Sequence, residues 1–444
     1  MKTMKKNFRL YIGLAILGLV SSCKPEIDAP TFSKGTADFS KYIAIGNSLT
    51  SGYADNGLYL EGQKVAFPNL MAEQMKNVGG GEFTSPFFPA DKANGSGYIM
   101  LESLVDGNPV MKPVTTDLAI RGTNPDGKPL YIKYTDPIQN LGVPGMRLDM
   151  AFANGLGTVK GNPYFERLLP DNTPATMTYF QYATGHDYTF FSFWLGNNDV
   201  LGYAMNGAVS TVNSPTGPVE DPTKQLTSLP LFTQLYTNFV TTLTAKGQKG
   251  VVATIPDVTA VPFLNTVTTA RLNAGVEAAS QGAFKNVIIK TKTGVRAATA
   301  KDLFPLTFNT AALGKPNTIG PGYGISPANP IEDHNVLDEA EVAQVSARVN
   351  EFNNVIKQVA ESKGVAVADV HAFLNKVKGG YVYNGIGISS AFITGNAFSL
   401  DGVHLTPMGN AIVANLFIDA INKQYNASIP KVDISLYRGV KYPN

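Results

Sequence analysis

Apolar residues along this chain gather into short runs at residues 42–45, 137–141, 189–195, 250–255 and 365–370, widely separated from one another. Short apolar runs without polar alternation fit strands buried on both faces. Between them the apolar spacing changes. Over residues 338–362, Ala340, Val345, Val349, Phe352, Ile356 and Val359 recur at helical intervals along one face. Asp338 and Glu341 suit the cap and third position of that helix, and Gly364 suits its end. Further helices are predicted at residues 66–76, 231–245 and 407–424, the last opened by Thr406 as cap and Pro407 at the first turn. Strands alternating with helices imply an α/β fold, a mostly parallel sheet covered on both faces. Residues 77–136, 201–229 and 291–335 break the pattern, being rich in Gly, Pro, Ser, Thr and Asn. They exceed ordinary loop length and are read as insertions that either shape a pocket or decorate the surface. Phe83, Phe87, Phe88 and Tyr98 in the first of them suit either an acyl site or a local core.

The beginning of the chain has another pattern. Lys2, Lys5, Lys6 and Arg9 precede an uninterrupted apolar run over residues 10–20, with no acid among them. That is the layout of a signal peptide, and the run is shorter than the roughly 20 residues a spanning helix needs. Val20-Ser21-Ser22-Cys23 follows, containing the only cysteine. It resembles the lipobox of bacterial lipoproteins, which implies removal of residues 1–22 and acylation of Cys23. Two or three acyl chains anchor stably where one does not. The expectation is an exported lipoprotein of the bacterial cell envelope, with the outer membrane the favoured address. Residues 23–40, with Pro25 and Pro30 and few large apolar side chains, read as a tether, leaving residues 41–444 as the folded domain. Loss of the leader takes four of 36 basic residues and none of 34 acidic ones. The remaining near-neutral chain has no basic face of the kind a nucleic acid requires.

Candidate chemistry lies beside the predicted strands. Gly46-Asn47-Ser48-Leu49 places a hydroxyl directly after the first, where open α/β sheets bind ligands. Near the other end, Asp401-Gly402-Val403-His404 sets a carboxylate three residues before an imidazole. A serine nucleophile needs a base, and the base needs an acid to hold its tautomer. Asn140-Leu141-Gly142-Val143-Pro144-Gly145 and Gly196-Asn197-Asn198-Asp199 end two other strands and offer hydrogen-bond donors for an oxyanion. Singly, each of the four is an ordinary turn sequence.

In this order the four segments resemble the blocks of the SGNH, or GDSL-like, lipase and acylhydrolase family from about Tyr42 to Gln424. The resemblance implies a three-layer α/β/α sandwich, flavodoxin-like, with a mostly parallel five-stranded sheet. It implies Ser48 as nucleophile, Asp401 and His404 as acid and base, and the oxyanion held by the Ser48 and Gly145 amides and the Asn198 side chain. One departure is Asn47, where the family commonly has Asp. The implied reaction is hydrolysis of a carboxylic ester of a small-molecule, glycan or lipid substrate through an acyl-enzyme. It needs no cofactor and no metal. His186, His334 and His371 have no ligand-like spacing and read as structural. Two rival readings stay open: a non-catalytic lipoprotein binding glycans or proteins on the same scaffold, and acyl transfer to a sugar by the same residues.

Overall fold

The computed structural model describes residues 31–105, 108–214 and 217–443. The predicted leader, Cys23 and the tether as far as residue 30 lie outside the described residues, but the last part of the expected tether is folded: Thr36 N–H donates to Tyr425 O, and Phe39 is buried against Phe190. The chain divides after Phe32, and every described strand and helix belongs to the unit that begins at Ser33.

Four strands form the central sheet: β1 (Tyr42–Gly46), β2 (Phe190–Trp194), β3 (Lys249–Ala253) and β4 (Ala366–Ala368), in that spatial order and all parallel. Every residue of β1 and β2 is buried, which explains why they read as continuous apolar runs. The helices that frame the sheet and its carboxyl edge are α1 (Ser48–Ser51), α2 (Phe67–Met75), α3 (Asn198–Met205), α4 (Leu229–Leu243), α5 (Glu339–Ser362) and α6 (Pro407–Tyr425).

Alternation along β2 assigns the helices to faces. Phe190 packs on Tyr425 of α6, and Trp194 on Phe67 of α2 and Phe417 of α6. Phe193 points the other way, to Tyr236 and Phe239 of α4, while Phe232 of α4 stacks on Phe352 of α5. The result is a three-layer α/β/α arrangement. Its long helices begin as the sequence suggests: Asp338 and Glu341 form a reciprocal capping box, and Thr406 caps α6 ahead of Pro407.

The expected strand at residues 137–141 is not a member of the sheet. It lies beside β1 and makes one parallel bridge, Ala44 with Asn140. Ala44 N–H donates to Gln139 O, Leu141 N–H to Ala44 O and Val143 N–H to Gly46 O. The next direct ladder bond would join Gly46 N–H to Leu141 O, and the Tyr179 hydroxyl occupies that place. It accepts from Gly46 N–H at 3.1 Å and lies 2.7 Å from Leu141 O, to which it donates. A buried phenol thus stands in for one rung of the ladder. Because this segment and β2 flank β1 on opposite sides, the chain changes direction at the carboxyl end of β1, the position where open sheets form a crevice.

The stretches that lacked a helical or strand pattern carry hairpins of their own. Tyr98–Val105 pairs with Asn108–Val114, Ile120–Thr123 with Pro129–Tyr131, and Thr211–Ser214 with Gly217–Glu220. Ile288–Thr291 and Gly294–Ala297 form another, beside a small separate core that includes Ile289, Phe304 and Ile331.

Candidate active site

Ser48 is set by a tight turn. A side chain at Gly46 would meet Thr50 Oγ1 at 2.0 Å and Trp194 O at 2.9 Å, so only glycine fits between β1 and α1. Asn47 Oδ1 accepts the Leu49 N–H at 3.1 Å and caps the turn, and Gly52 closes it at φ +83°. The Asn at 47 therefore performs the capping task through its oxygen, which an Asp would share. Ser48 is left almost buried at the carboxyl edge of the sheet.

The partner loop precedes α6. Asp401 Oδ1 accepts the N–H groups of Val403 and His404 at 2.9 and 2.8 Å, which shapes the turn, with Gly402 at φ +72°. Asp401 Oδ2 lies 2.9 Å from His404 Nδ1, and His404 Nε2 lies 2.9 Å from Ser48 Oγ. Burial pushes the Asp401 carboxyl up, but the neighbouring imidazole and the hydrogen bonds from His404 and Asn56 outweigh it and hold the group below the usual carboxylate range. An ionised carboxylate only accepts, so Nδ1 carries the imidazole proton, Nε2 presents its lone pair, and the Ser48 hydroxyl donates.

Two loops far apart in sequence are stitched together around this relay. Asn56 N–H donates to Asp401 Oδ2, Asp55 N–H to Ser399 Oγ, and Leu400 N–H to Asp55 Oδ1. The Tyr53 ring lies 4.7 Å from the His404 ring, tilted across it.

Gly145 and Asn198 line the same cavity as Ser48 and His404. Gly145 sits at φ +77° with only Asn162 near its missing side chain. Gly142, in the same segment, is packed against the backbone of Thr50 and Ser51. Among the described residues neither the Ser48 nor the Gly145 N–H donates to a protein acceptor. The Asn198 amide gives one N–H to Met146 O at 3.0 Å, leaving the other uncommitted.

The sequence motifs missed what holds these donors. Arg147, 1% exposed, forms a bidentate pair with Asp149 and donates to Asn198 O at 2.9 Å. Asp199, fully buried, accepts Leu148 N–H at 2.8 Å and Asp149 N–H at 3.3 Å. Thr227 Oγ1 lies within 3.0 Å of both carboxylates and accepts from Arg147. The group joins the Gly145 loop to the Asn198 turn. Burial, then Asp149, push Asp199 up to about 6, against the opposing pull of Arg147 and the hydrogen bonds. The available signal was the acid directly after Asn198, together with an arginine two residues after Gly145 in the other donor segment.

Phe83, Phe87, Phe88 and Tyr98 do not line the cavity. Phe83 stacks on Tyr42, Arg167 lies over Phe88, and Tyr98 stacks on Tyr59. His186 Nδ1 lies 2.8 Å from Tyr182 O, and burial lowers its pKa. His334 and His371 also stand outside the cavity.

The sequence matches the GDSL-like lipase/acylhydrolase family over residues 42–417. No curated protein matches it. Among solved structures it is similar to a lipase/acylhydrolase from Enterococcus faecalis, with 10% identity, a TM-score of 0.32, and 88% of this chain and 99% of that one covered. An acetyl-xylooligosaccharide esterase from Geobacillus gives 11%, 0.35, 87% and 96%, and an extracellular lipase from Streptomyces rimosus 11%, 0.31, 85% and 98%. The family match takes in most of the described residues, and the chain belongs to the GDSL-like lipase/acylhydrolase family.

Proposed function

We propose that this chain hydrolyses carboxylic esters by way of an acyl-enzyme on Ser48. Ser48 Oγ attacks the ester carbonyl while His404 Nε2 takes its proton and Asp401 stabilises the imidazolium. The carbonyl oxygen, now negative, receives the N–H groups of Ser48 and Gly145 and the free N–H of Asn198. Removing one such donor typically costs about 10²–10³ in kcat. The tetrahedral adduct collapses, the C–O bond to the alcohol breaks, and His404 returns the proton to the departing oxygen. Water then attacks the Ser48 ester with His404 again as base, releasing the acid and restoring the hydroxyl.

The observation that supports this most is the continuous run Asp401 Oδ2, His404 and Ser48 Oγ, with 2.9 Å at each contact and the tautomer dictated by the carboxylate. A direct test is to assay the purified full chain on chromogenic acyl esters beside Ser48→Ala. Hydrolysis at least about a thousandfold slower in the variant is expected. An equal rate in both removes the assignment.

The same proposal extends to address: residues 1–22 direct export and Cys23 takes the acyl chains. Incorporation of labelled palmitate, absent in Cys23→Ser, is the expected result; equal labelling of the variant contradicts it.

A further inference from the structure

The cavity in front of Ser48 measures about 690 Å³. That lies well within the roughly 300–1,000 Å³ that holds a drug-sized ligand, and an acetyl group would leave most of its wall wet. Among the described residues no Asp, Glu, Lys, Arg or His lines it apart from Asp401 and His404. Its walls come from three places. Leu201 and Met205 follow Asn198 on α3 at spacings of three and seven, so one apolar helix face leads outward from the oxyanion donor. Ile99 and Met111 come from the 98–114 hairpin, which packs through Leu101 on Leu400, next to Asp401. Phe263 is fastened to the relay loop by its N–H, which donates to Gly402 O at 2.9 Å, and Leu306 N–H in turn donates to Phe263 O.

Two of the polar side chains in its wall, Asn162 and Tyr164, already have protein partners. Asn162 donates to Pro144 O and accepts from Tyr164 and Phe165 N–H, and the Tyr164 hydroxyl lies 3.4 Å from that of Tyr131. Partly exposed apolar side chains converging on a nucleophile need an apolar ligand to cover them, since burial of such surface is the main source of affinity there.

Resting on the assignment of Ser48 as nucleophile, we propose that this cavity takes esters carrying an unbranched apolar chain on the acyl side, medium to long, and not acetyl groups on a carbohydrate. The cavity binds the chain against Leu201, Met205, Ile99, Met111, Phe263 and Leu306.

The test is a series of p-nitrophenyl acetate, butanoate and octanoate. It is run with ethyl octanoate and octyl acetate, which place the same chain on the acyl or the alcohol side, and with an acetylated xylo-oligosaccharide. Each buried methylene raises kcat/KM about fourfold, so a rise of at least about a hundredfold from acetate to octanoate is expected, carried mostly by KM. Met205→Trp and Met111→Lys should each lower the octanoate-to-acetate ratio at least about tenfold. Ethyl octanoate should be preferred to octyl acetate, since the p-nitrophenyl series carries its chain on the acyl side. A flat or falling series, a preference for octyl acetate, or the acetylated oligosaccharide as best substrate, overturns this proposal while loss of activity in Ser48→Ala leaves the nucleophile intact. Activity indifferent to Ser48→Ala overturns the nucleophile assignment instead.

Discussion

Replacing Asp401 by Asn changes one oxygen to an NH₂ group and isolates what the carboxylate does. Asp401 accepts four hydrogen bonds, from Val403 and His404 N–H on Oδ1 and from Asn56 N–H and His404 Nδ1 on Oδ2. If the new amide nitrogen replaced Oδ1, two backbone donors would face it. If it replaces Oδ2, only Asn56 N–H is lost, and Asn56 is exposed enough to turn to water. Each unmet buried donor costs about 1–3 kcal/mol, so the second orientation wins by roughly that amount. Its NH₂ then donates to His404 Nδ1, which puts the imidazole proton on Nε2, where it cannot accept from Ser48. The variant also loses the carboxylate beside the forming imidazolium, worth about 4 kcal/mol at contact distance with an effective dielectric near 20. Together the two effects come to about 5–7 kcal/mol, at least about 10⁴ in kcat. The assay is steady-state hydrolysis of p-nitrophenyl esters, with circular dichroism showing that the variant is folded. KM should stay within a few-fold, since the ground state gains nothing from Asp401. A folded variant within about tenfold of the parent kcat would refute the orienting role.

Three other outcomes follow from the same geometry. Asn198→Ala should lower kcat about 10²–10³ with little change in KM, because the amide acts on charge that develops only in the transition state; a rise in KM alone would contradict this. Tyr179→Phe leaves Gly46 N–H and Leu141 O without the hydroxyl that joins them and should cost about 1–3 kcal/mol, read as a lower urea midpoint, whereas an unchanged midpoint would show that the hydroxyl does not hold the two segments together. Asp199 binds its proton more tightly when folded than unfolded, so its contribution to stability is complete below about pH 4 and is lost as pH rises through about 6. Asp199→Asn should flatten stability against pH over that window, and an unaltered slope would show that some other group sets it.

The parts of the fold that were legible in the sequence are those buried on both sides. β1 and β2 have no solvent face, so nothing polar interrupts Tyr42–Gly46, and β2 carries only a serine among its aromatic rings. The 137–141 segment is interrupted by Gln139 and Asn140 and pairs at a single bridge, and the residue that takes the place of its next ladder bond, Tyr179, lies elsewhere in the chain. The 98–114 hairpin was invisible for another reason: its strands carry Pro109 and Pro113 and alternate only loosely between covered and open positions. Ser48, Asp401 and His404 announce themselves in short motifs, and the structure brings them within hydrogen-bond distance. The cavity walls do not, since Met111, Met205, Phe263 and Leu306 are ordinary apolar residues until folding gathers them. Nor does the Arg147 group, whose members reach across 80 residues to Thr227.

The central claim is that Ser48 Oγ is the atom acylated. It is tested most directly by treating the protein with a chromogenic alkylphosphonate ester and mapping the labelled peptide by mass spectrometry. One phosphonyl group on Ser48, absent in Ser48→Ala and formed at least about a hundredfold more slowly in His404→Ala, is the predicted result. Stoichiometric labelling of another residue with loss of activity, or full activity after Ser48 is labelled, would contradict it.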